Sequence, residues 1–146
     1  MGLYLNPNAD AFQMGLNTEI YVDKSLILSE LNKLVSSQGN FVCLSRPRRF
    51  GKSMAGNMIS AYYSKGCDTR EVFSQMKLGQ EPCFDKYLNK FNVIKLDLNG
   101  WYQNAKKKNT HASLIEQIDK IVAEEFKEQF QNIVFGDDEN SIDKCI

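Results

Sequence analysis

A short apolar run, Phe41-Val42-Cys43-Leu44, passes directly into Ser45-Arg46-Pro47-Arg48-Arg49-Phe50-Gly51-Lys52-Ser53, and this junction constrains the chain more than any other stretch. A continuous run of that length reads as a strand buried on both faces of a parallel sheet. After Lys52, residues Met54, Met58 and Tyr62 recur at i, i+4 and i+8, with Ile59 and Tyr63 alongside, the period of an amphipathic helix. Strand, tight loop and helix, with Gly-Lys-Ser at the helix start, is the order a phosphate-binding loop needs. Backbone N–H groups, a helix N-terminus and a lysine then converge on one anion. In that reading the amides from Arg49 to Ser53 face the β- and γ-phosphates of a nucleoside triphosphate. Lys52 pairs with the phosphate charge, and the Ser53 hydroxyl ligates Mg²⁺.

One position departs from the usual pattern, which places glycine six residues before the lysine; this chain has Arg46 there. Glycine permits the sharp turn out of the strand, whereas Pro47 biases Arg46 toward an extended backbone. Two readings of the residues stand side by side. The first is a variant Walker A loop that leaves the strand by another route and still cradles ATP. The second is a basic strand-to-helix turn whose lysine sits on the surface. The arginines Arg46, Arg48 and Arg49 divide in the same way, between phosphate contact and solvation or pairing with carboxylates.

Composition narrows the classes. The 146 residues suit one modest domain, and 18 basic side chains against 18 acidic ones leave a formal net charge of zero. No global field recruits nucleic acid or membrane, so any anion binding is local. No apolar stretch approaches a membrane span, and Met1-Gly2-Leu3-Tyr4 lacks the basic flank of a signal peptide. Cys43, Cys67, Cys83 and Cys145 are widely spaced, which argues against zinc and a disulfide framework and fits a reduced, cytoplasmic setting.

Elsewhere, residues 1–18 read as a surface arm without helical or strand period, and Glu19-Ile20-Tyr21-Val22-Asp23-Lys24-Ser25 as a short strand. Ile27, Leu28, Leu31, Leu34 and Val35 fall on one helical face, with Gly39 as a left-handed stop. Gly56 weakens the helix after the loop, a cost that close packing on the sheet would justify. Val72, Phe73, Met76 and Leu78 read as core anchors, and Asn92-Val93-Ile94-Lys95-Leu96-Asp97-Leu98 as a second strand. A long helix follows, with Ser113 and Glu116 as a capping box and Ile115, Ile118, Val122, Phe126 and Phe130 as its stripe. Asp97 and the Asp137-Asp138-Glu139 cluster are weak candidates for a metal-water ligand. His111, Trp101, Tyr102 and the run Lys106-Lys107-Lys108 need no ligand to explain them.

Three blocks carry a family resemblance: Phe12 onward through Leu16-Asn17-Thr18-Glu19-Ile20-Tyr21-Val22-Asp23-Lys24-Ser25 against "Y-V-D-K-[TS]", Ser45 to Ser53 against "R-P-R-R-F-G-K-[ST]", and residues 92–98 against "V-I-x-L-D". Together they resemble the predicted AAA-ATPase-like family of bacteria, large P-loop proteins often followed by a PD-(D/E)XK nuclease-like domain. The resemblance implies that the arginine-rich loop without the first glycine is the family's own form. It also implies that Asp23 and Lys24 sit near the nucleotide or brace the loop. Family members continue into an apolar strand ending in Asp-Glu, which this chain lacks.

The expected fold is therefore α/β, a P-loop NTPase-type three-layer sandwich with an incomplete, mostly parallel sheet flanked by helices. Residues 1–18 form the arm, and residues 19–146 the front part of the ATPase domain, truncated before the Walker B strand. The expected cofactor is Mg-ATP, held by Arg46, Pro47, Arg48, Arg49, Phe50, Gly51, Lys52 and Ser53, with Ser53 on the metal. Binding without appreciable hydrolysis is expected, with self-association or a partner chain at the exposed sheet edge. The alternatives are a basic anion- or nucleic-acid-binding module and a non-catalytic interaction fragment.

Overall fold

A computed structural model describes residues 2–99 and 112–130, which fall into two units: Asn6–Val93, and Met1–Leu5 with Ile94–Ile146. The Asn6–Val93 unit is built from short helices: α1 Asp10–Leu16, α2 Leu26–Leu34, α3 Lys52–Tyr63, α4 Arg70–Ser74 and α5 Phe84–Tyr87, with a 3₁₀ turn at Lys77–Gln80. The second unit contributes α6, Ala112–Gln129.

The periodic stripes of α2 and α3 become the core. Leu28 from α2 and Met58, Ala61 and Tyr62 from α3 are buried with Ala9, Phe12, Phe73, Leu78 and Leu88. Aromatic rings lock this cluster. Phe12 stacks on Phe73 at 5.3 Å between centroids, and Tyr62 meets Phe73 edge-on at 5.4 Å, geometries that add to the area they bury. The Tyr62 hydroxyl donates to the Phe84 carbonyl at 2.9 Å and accepts from the Asn32 amide at 3.0 Å, so its polar end is satisfied inside the core.

The C-terminus of α3 is closed by a side chain from far along the sequence. Asn89 adopts a left-handed φ of 54°, and its amide donates to the carbonyls of Ala61 and Ser64, both at 3.0 Å. Its backbone N–H donates to the Tyr62 carbonyl at 2.7 Å, and the Thr69 hydroxyl takes Ala61 at 2.9 Å. The orphan carbonyls of the last helical turn are thereby satisfied.

Several expectations are corrected. Among the described residues there is no β-strand, only the isolated bridges Leu5 to Ile94 and Ser64 to Phe91. Among the described residues the expected α/β three-layer sandwich with a mostly parallel sheet is not formed, and with it goes the sheet edge that was to take a partner. Residues 41–47 carry no regular structure, and Phe41 is 95% exposed, Val42 and Leu44 exposed with it. A short apolar run reports a wish for burial, but a strand exists only where another strand supplies its hydrogen bonds. Residues 92–98 likewise contribute one antiparallel bridge, at Ile94, in place of a parallel strand. Residues 19–25 are bends and irregular chain. The arm contains α1, with Phe12 buried, and α2 ends at Leu34 with Ser36 in the left-handed region instead of Gly39.

Within the second unit, the Glu125 carboxylate of α6 accepts the backbone N–H groups of Leu3, Tyr4 and Leu5, the last two at 2.9 and 2.8 Å. Gln129 donates to the Leu5 carbonyl at 2.9 Å. Val122 of the expected stripe is buried, whereas Ile115 is exposed, and Ser113 lies inside α6 and not ahead of it. Trp101, Tyr102, Lys106, Lys107, Lys108, His111, Asp137, Asp138, Glu139 and Cys145 lie outside the described residues.

Gly56 is exposed in α3, and a Cβ built there meets nothing within 4 Å, so close packing does not account for it. Gly56→Ala is expected to raise stability by about 0.5–1 kcal/mol by lowering unfolded-chain entropy, measured by denaturant unfolding. A loss of stability would show that this glycine has a contact partner.

Candidate functional site

Residues 45–53 turn from irregular chain into α3 through two left-handed residues, Arg49 at φ 68° and Gly51 at φ 78°. Gly51 adopts this backbone without strain, whereas at Arg49 a side chain is held in a region L-residues rarely occupy. Left-handed residues thus stand on either side of Phe50 and turn the chain sharply into the helix.

Gly51 is the N-cap of α3, and no side chain caps the helix there. The first bond of the helix runs from the Ala55 N–H to the Gly51 carbonyl at 2.9 Å. The first-turn amides and the positive end of the helix dipole thus face outward at the loop.

The Lys52 ammonium reaches back across the loop and donates to the carbonyls of Arg46, at 2.5 Å, and Pro47, at 2.9 Å. The chain from Arg46 to Lys52 is thereby a ring closed by its own lysine. Arg46 occupies the place where glycine was missing, and its carbonyl is one of the two that hold the lysine. Arg46, Arg48 and Arg49 are all exposed, and no ion pair among the described residues engages them. Ser53 is exposed on the first turn of α3, and Phe50 is 63% exposed beside the ring.

Two open clefts meet at this ring. One, about 420 Å³, is lined by Lys24, Ile27, Leu44, Arg46, Phe50, Gly51, Lys52 and Ala55. The other, about 340 Å³, is lined by Tyr21, Val22, Lys24, Arg49, Phe50, Gly51, Met54, Ala55 and Met58. The seven loop residues from Arg46 to Lys52 and Ser53 are contiguous in sequence, so their being together follows from the turn. The approach of Tyr21, Val22 and Lys24 does not, and periodicity carried no signal for it. Only the family resemblance pointed this way, and it named Asp23 and Lys24 alone.

Asp23 does not reach the loop. Its carboxylate accepts the backbone N–H groups of Ser25 and Lys77, both at 2.8 Å, and so joins the segment before α2 to the 3₁₀ turn. Partial burial pushes its pKa up, but the hydrogen bonds from Lys77 and Ser25 and the Lys77 charge outweigh this, and the carboxyl sits below its ordinary value. Asp97, exposed, accepts the Asn99 N–H in a local turn at 3.0 Å. Among the described residues no group of three or more His, Cys, Asp or Glu side chains is gathered to hold a metal.

A model of the family described as predicted AAA-ATPase matches residues 11–146, and the chain belongs to that family. Comparison with curated proteins and with solved structures gives no match. No helix among the described residues is long and apolar enough to cross a membrane.

The depressed pKa of Asp23 fixes the sign of a stability test. Its contribution is present above the ordinary aspartate value of 3.8 and is lost as pH falls through the lower value of the folded state. Asp23→Ala is expected to lower stability at neutral pH by about 0.5–1.5 kcal/mol, the net contribution of its bonds to the part-buried Ser25 and exposed Lys77 N–H groups. The gap to wild type should narrow in denaturant unfolding near pH 3; an equal gap at both pH values would contradict the assignment.

Proposed function

We propose that this chain binds a nucleoside triphosphate, with Mg²⁺, at the ring between Arg46 and Ser53. The observation that carries the reading is the combination at the start of α3: an uncapped helix N-terminus, a left-handed glycine before it and a lysine folded over the loop mouth. Membership in a family described as ATPase supports it. The first-turn amides would take phosphate oxygens, and Lys52 would share its charge between them and the two loop carbonyls. Bound Mg²⁺ screens the phosphate charge. Ser53 would supply a hydroxyl to it, with phosphate oxygens and water completing a hard-oxygen set that suits this cation.

Exposed Arg46, Arg48 and Arg49, engaged in no ion pair among the described residues, favour a second reading, a local nucleic-acid contact. Salt separates the two, because phosphate-backbone binding weakens steeply as salt rises and does not require magnesium.

Calorimetric titration with Mg-ATP tests the first reading. Saturable binding is expected, weakened at least about tenfold by Lys52→Ala through loss of a charged contact. Equal weak affinity in both proteins would sink it, and strong salt-sensitive DNA or RNA binding that survives ATP competition would favour the second.

A further inference from the structure

We propose that Lys24 is a positioning residue of the loop, one that sets the direction of the Gly51 N–H; its effect on nucleotide affinity rests on the function proposed above. The residues on either side of it are pinned away from the loop. Asp23 is tied to Ser25 and Lys77, and the buried Ser25 hydroxyl accepts the Leu78 N–H at 3.1 Å. With its neighbours fixed, the exposed Lys24 side chain turns the other way. Its ammonium donates to the Phe50 carbonyl at 3.3 Å and stands 3.3 Å from where a Cβ on Gly51 would lie. It lines both clefts that meet at the ring.

The Phe50 carbonyl and the Gly51 N–H belong to one peptide unit. A trans peptide is planar, so its C=O and N–H point in opposite directions. Holding the carbonyl toward Lys24 therefore aims the Gly51 N–H away from it. Without that hold the peptide is free to rotate, because glycine follows it and accepts either sign of φ. Lys52 closes the ring at Arg46 and Pro47, and Lys24 fixes the peptide at its other end, immediately ahead of α3. The two lysines thus do different work: Lys52 spans the mouth, and Lys24 orients the first amide of the cradle before any ligand arrives.

Lys24→Met keeps the length of the stem and removes the donor, and Lys24→Arg restores a donor. Two readouts separate this inference from the one it rests on. In nucleotide-free protein, tryptic cleavage after Arg48 and Arg49 should be about threefold or more faster in Lys24→Met, with an unchanged melting temperature, and should return toward wild type in Lys24→Arg. Calorimetry with Mg-ATP should show affinity about five- to tenfold weaker in Lys24→Met and largely recovered in Lys24→Arg. Equal cleavage rates in wild type and Lys24→Met would overturn the loop-holding role whatever the nucleotide does. Equal Mg-ATP affinities, or a loss that arginine fails to rescue, would overturn its role in binding while leaving the proposed function standing. No Mg-ATP binding by wild type would remove the proposed function, and the nucleotide part of this inference with it; the cleavage rates would still decide the holding role.

Discussion

The loop is only as well placed as the far end of α3. Met58, Ala61 and Tyr62 anchor that end in the aromatic core, and Asn89 and Thr69 close its last carbonyls. The first turn, by contrast, carries exposed Lys52 and Ser53 and no side-chain cap. A helix fixed at one end and open at the other presents its N-terminal amides on a rigid stem, which is what a precise anion contact needs. Loosening the Phe12, Tyr62 and Phe73 cluster would therefore act on the loop from the opposite end of α3.

Electrostatics are concentrated, not spread. The chain is neutral overall, yet Lys24, Arg46, Arg48, Arg49 and Lys52 gather around one turn whose helix dipole adds to their sign. The Lys52 ammonium is already satisfied by two carbonyls, and Phe50 is already held by Lys24. A ring ordered before binding loses less entropy when an anion arrives. A chain of zero net charge that gathers five cations at one turn is net acidic over the rest, which does not favour a polyanion running on beyond the turn.

What the sequence made legible follows from the range over which each signal acts. The α2 and α3 stripes were readable because a 3.6-residue period is local, and their apolar faces did become core. The run at residues 41–44 misled because apolar character carries no information about a pairing partner, and none is supplied among the described residues. Helix α1 went unread because seven residues with one buried aromatic leave almost no period. The ties that place the site, Asp23 to Lys77, Ser25 to Leu78, Lys24 to Phe50 and Asn89 to Ala61, join residues 26 to 54 positions apart. No periodicity reports such pairs.

The central claim is that the amides at the start of α3 receive phosphate. Backbone NMR during a Mg-ATP titration tests it most directly, following the amide signals of Gly51, Lys52, Ser53 and Met54 in the whole chain. The account predicts saturable shifts largest at these four positions, absent on titration with adenosine, which lacks phosphate. Saturable shifts centred elsewhere, or equal shifts with adenosine, would contradict it.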